Sequence, residues 1–153
     1  MAALGALTAD RVVAKVGQPA IRFKLPMVLS ATIYQGSLVS IVTASGLAQA
    51  SSDSAGEVFM GIAEENKTAA ASGTTYITVA SCGIFRIPSS LTVAATHMGV
   101  KVYVISSSEV TNAAGGTNDI PVGIIVGIHS TGENGLVDVF LSPGGAVGAG
   151  GSA

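Results

Sequence analysis

Thr75-Tyr76-Ile77-Thr78-Val79-Ala80 and, after Ser81-Cys82, Gly83-Ile84-Phe85-Arg86-Ile87-Pro88 are the two stretches on which the fold class turns. Both are rich in β-branched and aromatic residues, and both are too short to be helices that bury a face. Gly and Pro bound them, so they read as two short strands. The same signature recurs outward in both directions. It places strands at 38–43, 58–64, 75–80, 83–87, 101–106, 122–129 and 136–141, with Gly, Ser, Asn and Pro between them. Spacing of this kind belongs to an all-β domain, a small β-barrel or β-sandwich of about seven to nine short strands.

Two segments carry a weaker helical pattern. Residues 44–55 are small and polar enough to turn. In residues 89–98, Leu91, Ala94, Ala95 and Met98 recur at spacings of three and four, with Ser90 as a candidate N-cap. At most one short helix is expected.

In Leu136-Val137-Asp138-Val139-Phe140-Leu141 the period of two places Asp138 on the same face as Leu136 and Phe140. A charge on an otherwise apolar face marks a strand near an edge or an interface, so Asp138 and Phe140 are the candidate self-association residues.

The chain divides into three parts: residues 1–27, a body of 28–142, and a tail of 143–153. In the first part Arg11, Lys15, Arg22 and Lys24 face only Asp10, a balance of +3, which leaves −5 for the rest of a chain whose net charge is −2. Pro19 and Pro26 withhold backbone donors and disfavour helix. Ile21-Arg22-Phe23-Lys24-Leu25 alternates as a strand does. This reads as an extended basic arm that docks elsewhere through Arg11, Lys15, Arg22, Phe23 and Lys24. The alternative is a first strand of the core sheet with its cations solvated on one face. The tail is uncharged and rich in Gly and Ala, so it is expected to be a flexible strap.

Charged residues make up only 10% of the 153, against roughly a quarter in an ordinary globular domain, and mean hydropathy is +0.61. Ser, Thr, Gly and Ala must therefore cover much of the surface. Such a surface costs little to desolvate, which favours contact with a large partner. No apolar run is long enough for a membrane helix. Residues 1–7 lack the charge pattern of a secretory signal, so synthesis in a cytosol is expected.

Catalysis needs positioned ionisable groups, and few are present. Cys82 with His97 or His129 is the one Cys/His pairing the composition allows, and a lone Cys beside a Gly is more often a packing residue. Glu64 and Glu65 are adjacent on a strand and point to opposite faces, so they do not converge on one ligand. Asn118-Asp119 and Glu133-Asn134-Gly135 have turn chemistry. Gly115-Gly116 and Gly144-Gly145 lack the context of a phosphate loop. The body is acidic and has no Trp, which disfavours nucleic acid. The expectation is a non-enzyme with no cofactor, no metal and no small-molecule substrate.

Four segments together carry a resemblance: Gly83-Ile84-Phe85-Arg86-Ile87-Pro88, Gly99-Val100-Lys101-Val102-Tyr103-Val104, Ile120-Pro121-Val122-Gly123-Ile124-Ile125-Val126-Gly127 and Val137-Asp138-Val139-Phe140-Leu141, preceded by the strand from Gly73 to Ala80. In this order they resemble the small capsid decoration, or cement, proteins of tailed bacteriophages, over roughly residues 56 to 141. The family commonly has Gly-Asp before its Val-Tyr strand, where this chain has Gly99-Val100-Lys101. The resemblance implies a β-barrel or β-sandwich, a homo-oligomer expected to be a trimer, seated on the outside of a mature icosahedral capsid, made in a bacterial host's cytoplasm. Its implied partner is the major capsid protein, whose neighbouring subunits it clamps and so stabilises. On that reading, deleting residues 1–26 leaves a folded domain that no longer binds. The other functional class is a fibre-base or receptor-binding adhesion module, with an exposed recognition loop at 107–119.

Overall fold

The computed structural model describes residues 6–11, 13, 20–112 and 115–143. The first half of the chain forms β1 (Ile21–Pro26), β2 (Thr32–Ile33), β3 (Leu38–Val42), β4 (Leu47–Ala50), β5 (Glu57–Ala63), β6 (Lys67–Thr68) and β7 (Tyr76–Ser81). The second half forms β8 (Ile84–Pro88), β9 (Thr92–Val93), β10 (Lys101–Val104), β11 (Val110–Thr111), β12 (Pro121–Ile128), β13 (Gly132–Glu133) and β14 (Leu136–Leu141). The protein is all-β. The seven strands expected from composition and spacing are β3, β5, β7, β8, β10, β12 and β14, each within two or three residues of its expected bounds.

The two halves repeat one topology. In the first, the sheet order is β1-β7-β5-β3-β4, and β2 pairs with β6; in the second, it is β8-β14-β12-β10-β11, and β9 pairs with β13. Each sheet curls until its edges approach, and one parallel bridge joins them: Met27 to Ala48 in the first, Ser89 to Val110 in the second. Backbone hydrogen bonds repeat with the strands. Val28 N donates to Ala48 O (3.0 Å) as Ser90 N does to Val110 O (2.8 Å), and Gly36 N donates to Ala63 O (2.9 Å) as Gly99 N does to Ile125 O (2.8 Å). Even the irregularity is shared. The ladder skips Met60 of β5 after the Val39–Gly61 pair and Val122 of β12 after the Val102–Gly123 pair. Bulges add local twist and so help a small sheet close on itself.

Inward positions correspond as well. Ile33, Val39, Ala48, Ala63, Ile77 and Val79 fill the first unit, and Val93, Val102, Val110, Ile125, Val137 and Val139 stand in the same places in the second. All are buried. The second cluster also takes in Leu38, Phe59, Ile62 and Ala80 from the first half, so the core of the second unit and the joint between the halves are continuous. Burying apolar surface at roughly 25 cal/mol per Å² makes that joint a main source of cohesion.

Three expectations are corrected. Residues 21–26 are extended, but they form β1 rather than the end of a detached arm. All six pair with β7, from Ile21 opposite Ser81 to Pro26 opposite Tyr76. Phe23 and Leu25 pack on the first cluster, and that packing holds the strand in the body. The helical reading of 89–98 fails because Ser89 is used to close the sheet and Val93 is buried on β9. Only Ala95–His97 turns, as a single 3₁₀ element. In 44–55 Gly46, at φ +71°, turns the chain so that Leu47–Ala50 returns as β4 against β3. The Cβ of any other residue at that φ would be strained, which is why the turn falls on glycine. The tail beyond Pro143 lies outside the described residues.

Candidate interaction surface

The first surface lies on β1 and β7. Register puts Arg22 beside Ala80, Lys24 beside Thr78 and Pro26 beside Tyr76, all on the outward side. Arg22 and Lys24 are exposed, and Tyr76 is 48% exposed. Phe23 points the other way, half-buried against the first cluster. Two cations and an aromatic on one face form the kind of patch at which Arg and Tyr concentrate in protein interfaces. Glu64 pairs with Arg22 at its edge. Glu65 accepts from Thr78 N at 2.9 Å and lies 3.9 Å from Lys67 Nζ. Burial works against the charge of Glu65, but the hydrogen bonds from Thr78 and the Lys67 and Lys24 ammoniums outweigh it, and its pKa falls below the usual value. The two carboxylates thus take separate partners, but they lie in the bend after β5 and not on the strand as expected, so the turn of the chain and not strand alternation sets them apart. Tyr76 was not among the expected site residues; its place two residues before Thr78 on an alternating strand is the signal that finds it.

Arg11 and Lys15 fare differently. Lys15 lies outside the described residues. Arg11 is turned into the body at the joint between the halves, its Nε donating to Gly36 O at 3.0 Å and its backbone N donating to Gln35 O at 2.8 Å. A Cβ at Gly36 would lie 2.3 Å from Arg11 Cγ, so the glycine makes room for the arginine stem. Burial lowers the Arg11 pKa, and the carboxylate of the fully buried Glu109 works in the opposite direction. Nearby, Asp10 Oδ1 accepts from Gln35 N and Ser107 Oγ accepts from Leu7 N. Residues 7–11 therefore strap the joint, and Arg11 is not available to a partner. A cavity of about 190 Å³ sits beside it, lined by Arg11, Val13, Ile62, Ala80 and Phe85 among others.

Arg11→Ala is expected to lower stability by about 2–3 kcal/mol, because it strips the guanidinium from beside a buried carboxylate and empties the space over Gly36. Adding Glu109→Gln recovers part of the loss if the two groups are coupled. Urea titration of the single and double variants reads both; a wild-type midpoint for Arg11→Ala refutes the strap.

The second surface lies on β8, β12 and β14. Val137, Val139 and Leu141 face inward, while Leu136, Asp138 and Phe140 are half-buried on the outer side. Asp138 takes Arg86 in a two-point pair, Nε to Oδ1 at 2.9 Å and Nη2 to Oδ2 at 3.4 Å. The charge on this face thus has its partner on the neighbouring strand. β14 lies between β12 and β8, one strand in from the β8 edge, which is near an edge as the pattern indicates.

The proposed recognition loop divides. Ser107, Ser108, Glu109, Val110 and Thr111 are buried, because this stretch includes β11 and fills the joint. Asn118 and Thr117 are exposed but held: Asp53 accepts from Thr117 N (2.7 Å) and Asn118 N (2.8 Å). Cys82 and His129 do not meet. Gly83 O accepts from Leu141 N and Leu136 O accepts from His129 N, so they lie toward opposite ends of β14, roughly 15 Å apart at about 3.3 Å per residue. His97 Nδ1 accepts from Ala94 N in its own turn. Among the described residues, no group of three or more His, Cys, Asp or Glu is placed to hold a metal. No helix of the described residues is long and apolar enough to cross a membrane.

No family model matches this chain, and no curated protein matches it.

Proposed function

We propose that the chain is a structural protein of a tailed-phage particle, binding the outer surface of a mature icosahedral capsid in many copies and clamping neighbouring major capsid subunits. The observation that carries this reading is where the resembling segments fall. Gly-Ile-Phe-Arg-Ile-Pro supplies β8, Gly-Val-Lys-Val-Tyr leads into β10, Pro-Val-Gly opens β12 and Val-Asp-Val-Phe-Leu is β14. Four scattered motifs are thus four neighbouring strands of a single sheet. The low charge supports it too, since a neutral, small-residue surface gives up its water cheaply to a broad partner. Multiplicity makes contacts that are weak singly effective together.

The shell-facing patch on this reading is Arg22, Lys24 and Tyr76, with an acidic capsid surface opposite. Mature capsids incubated with purified protein are expected to carry it down on sedimentation, saturating at a fixed ratio. Arg22→Glu with Lys24→Glu should weaken that binding about tenfold or more, and added salt should weaken the wild type in the same sense. Undiminished binding by the double variant removes these cations from the role. Binding to cells or glycans in place of shells points to adhesion instead.

A further inference from the structure

The repeat exposes an asymmetry that neither half shows alone. On the outer side of the first sheet, register lines up Arg22, Ala80, Ile62 and Leu38 in one row across β1, β7, β5 and β3. On the second sheet, the matching row is Ile84, Phe140, Ile124 and Lys101 across β8, β14, β12 and β10. Ala80 and Leu38 are fully buried and Ile62 is 3% exposed, because the second half of the same chain sits on them. Ile84, Phe140 and Ile124 are only half-buried and belong to neither buried cluster. The second half thus carries, more apolar than in the first, the face by which the first half is docked.

We propose that this row is covered by the first half of a second copy of the chain, in the same head-to-tail manner in which the second half covers the first. The occupant follows from the repeat. The elements that cover the first row include Phe85 and the stretch ending in β11, where Ser107 O accepts from Leu38 N at 2.9 Å. Their counterparts in the first half are Phe23 and the 43–46 turn, with Ser45 in the place of Ser107. That turn is exposed from Thr43 to Gly46 and stands ready to meet a row on a neighbour. A heterologous contact of this kind propagates from copy to copy and ends in a closed ring or a filament, unlike a two-fold face-to-face dimer. The inference deepens the self-association within the proposed function, but it needs no capsid, so it stands or falls separately from shell binding.

Cross-linking tests it through the matching contact. Leu38 N donates to Ser107 O, which holds the two backbones a hydrogen bond apart, so cysteines at 101 of one copy and 45 of the next should come within cross-linking reach. Lys101→Cys and Ser45→Cys are made as separate full-length chains, each with Cys82→Ser. Mixed and oxidised, they should form a linked dimer containing one of each, with neither variant linking to itself. In the wild-type background, Phe140→Asp, or Ile124→Glu should the first fail to fold, should weaken association at least tenfold by native mass while keeping the thermal transition. A single-chain mass at the highest soluble concentration overturns the proposal. So does Lys101→Cys linking to itself, or a wild-type mass for the folded Phe140→Asp or Ile124→Glu chain. Shell sedimentation of the same variants then separates loss of self-association from loss of capsid binding.

Discussion

A chain lacking residues 1–26 is expected to lose its cooperative thermal transition. The deletion removes β1, and with it six ladder positions against β7 and the packing of Phe23 and Leu25 on the first cluster. It also strips Arg11, Val13 and Ala20 from the joint. An uncovered β7 presents unpaired backbone groups and bare Ile77 and Val79, which invites edge-to-edge association. The damage does not stop at the first unit, because Leu38, Phe59, Ile62 and Ala80 are part of the second unit's core. Calorimetry or circular dichroism on heating reads the outcome. A wild-type-like transition from the truncated chain would restore the picture of a separable docking arm and refute β1 as a structural strand. The practical consequence is that shell binding has to be tested with point variants of Arg22 and Lys24, since loss of binding by the deletion only reports loss of the fold.

Gly123→Ala is expected to cost about 3 kcal/mol, which lowers the melting temperature by roughly 6–12 °C in a domain of this size. A Cβ on Gly123 would stand 1.9 Å from Phe140 O and 2.9 Å from Phe140 C, both backbone atoms of the adjoining strand. Backbone in the middle of a sheet has little room to retreat, so the strand pair must part or the sheet must lose curl. The cause lies in closure. With Val122 bulged out of the ladder beside Gly123, β12 rolls onto β14 more tightly than a side chain allows. Gly61 repeats this in the first half, where a Cβ would stand 2.5 Å from Ala80 O, so Gly61→Ala should also destabilise, by less. Gly116→Ala is the control: its nearest contacts would be 3.5 Å or more away, and a change within about 0.5 kcal/mol is expected. Thermal melts of the three variants side by side decide it. Equal melting temperatures for Gly123→Ala and Gly116→Ala would show that the sheet relaxes around the methyl.

The strands with strong alternation were legible because their pattern needs no partner to be read. Ile84-Phe85-Arg86-Ile87 and Leu136-Val137-Asp138-Val139-Phe140-Leu141 declare inward and outward residues by period alone. The two-residue strands β2, β6, β9, β11 and β13 were not legible. A pair such as Thr92-Val93 carries no period, and only its pairing with β13 makes it a strand. Residues 89–98 misled for a related reason: helical spacing over one turn weighs less than the closure that Ser89 makes with Val110. The repeat leaves only a faint trace in the sequence because its shared residues are few. Phe23 matches Phe85, Pro26 matches Pro88, Val39 matches Val102 and Gly61 matches Gly123, each pair 62 or 63 positions apart, while most inward positions between them differ in residue type.

Of the candidate residues, Arg22 and Lys24 were readable as surface cations, since they alternate with Phe23 and Leu25. Arg11 was not, because the sequence offers no sign that Glu109, nearly a hundred positions away, shares its environment.

Composition and period by themselves determined that this chain is all-β, weakly charged, and alternating on its main strands, because burial of one strand face is written residue by residue. Only the tertiary structure decided that the basic segment ends in a core strand, that the chain is one unit built twice, and that one copy of the docking row is buried while the other is only half-buried. Those are matters of which distant strands meet, and pairing between strands leaves no local trace in the residues that make it.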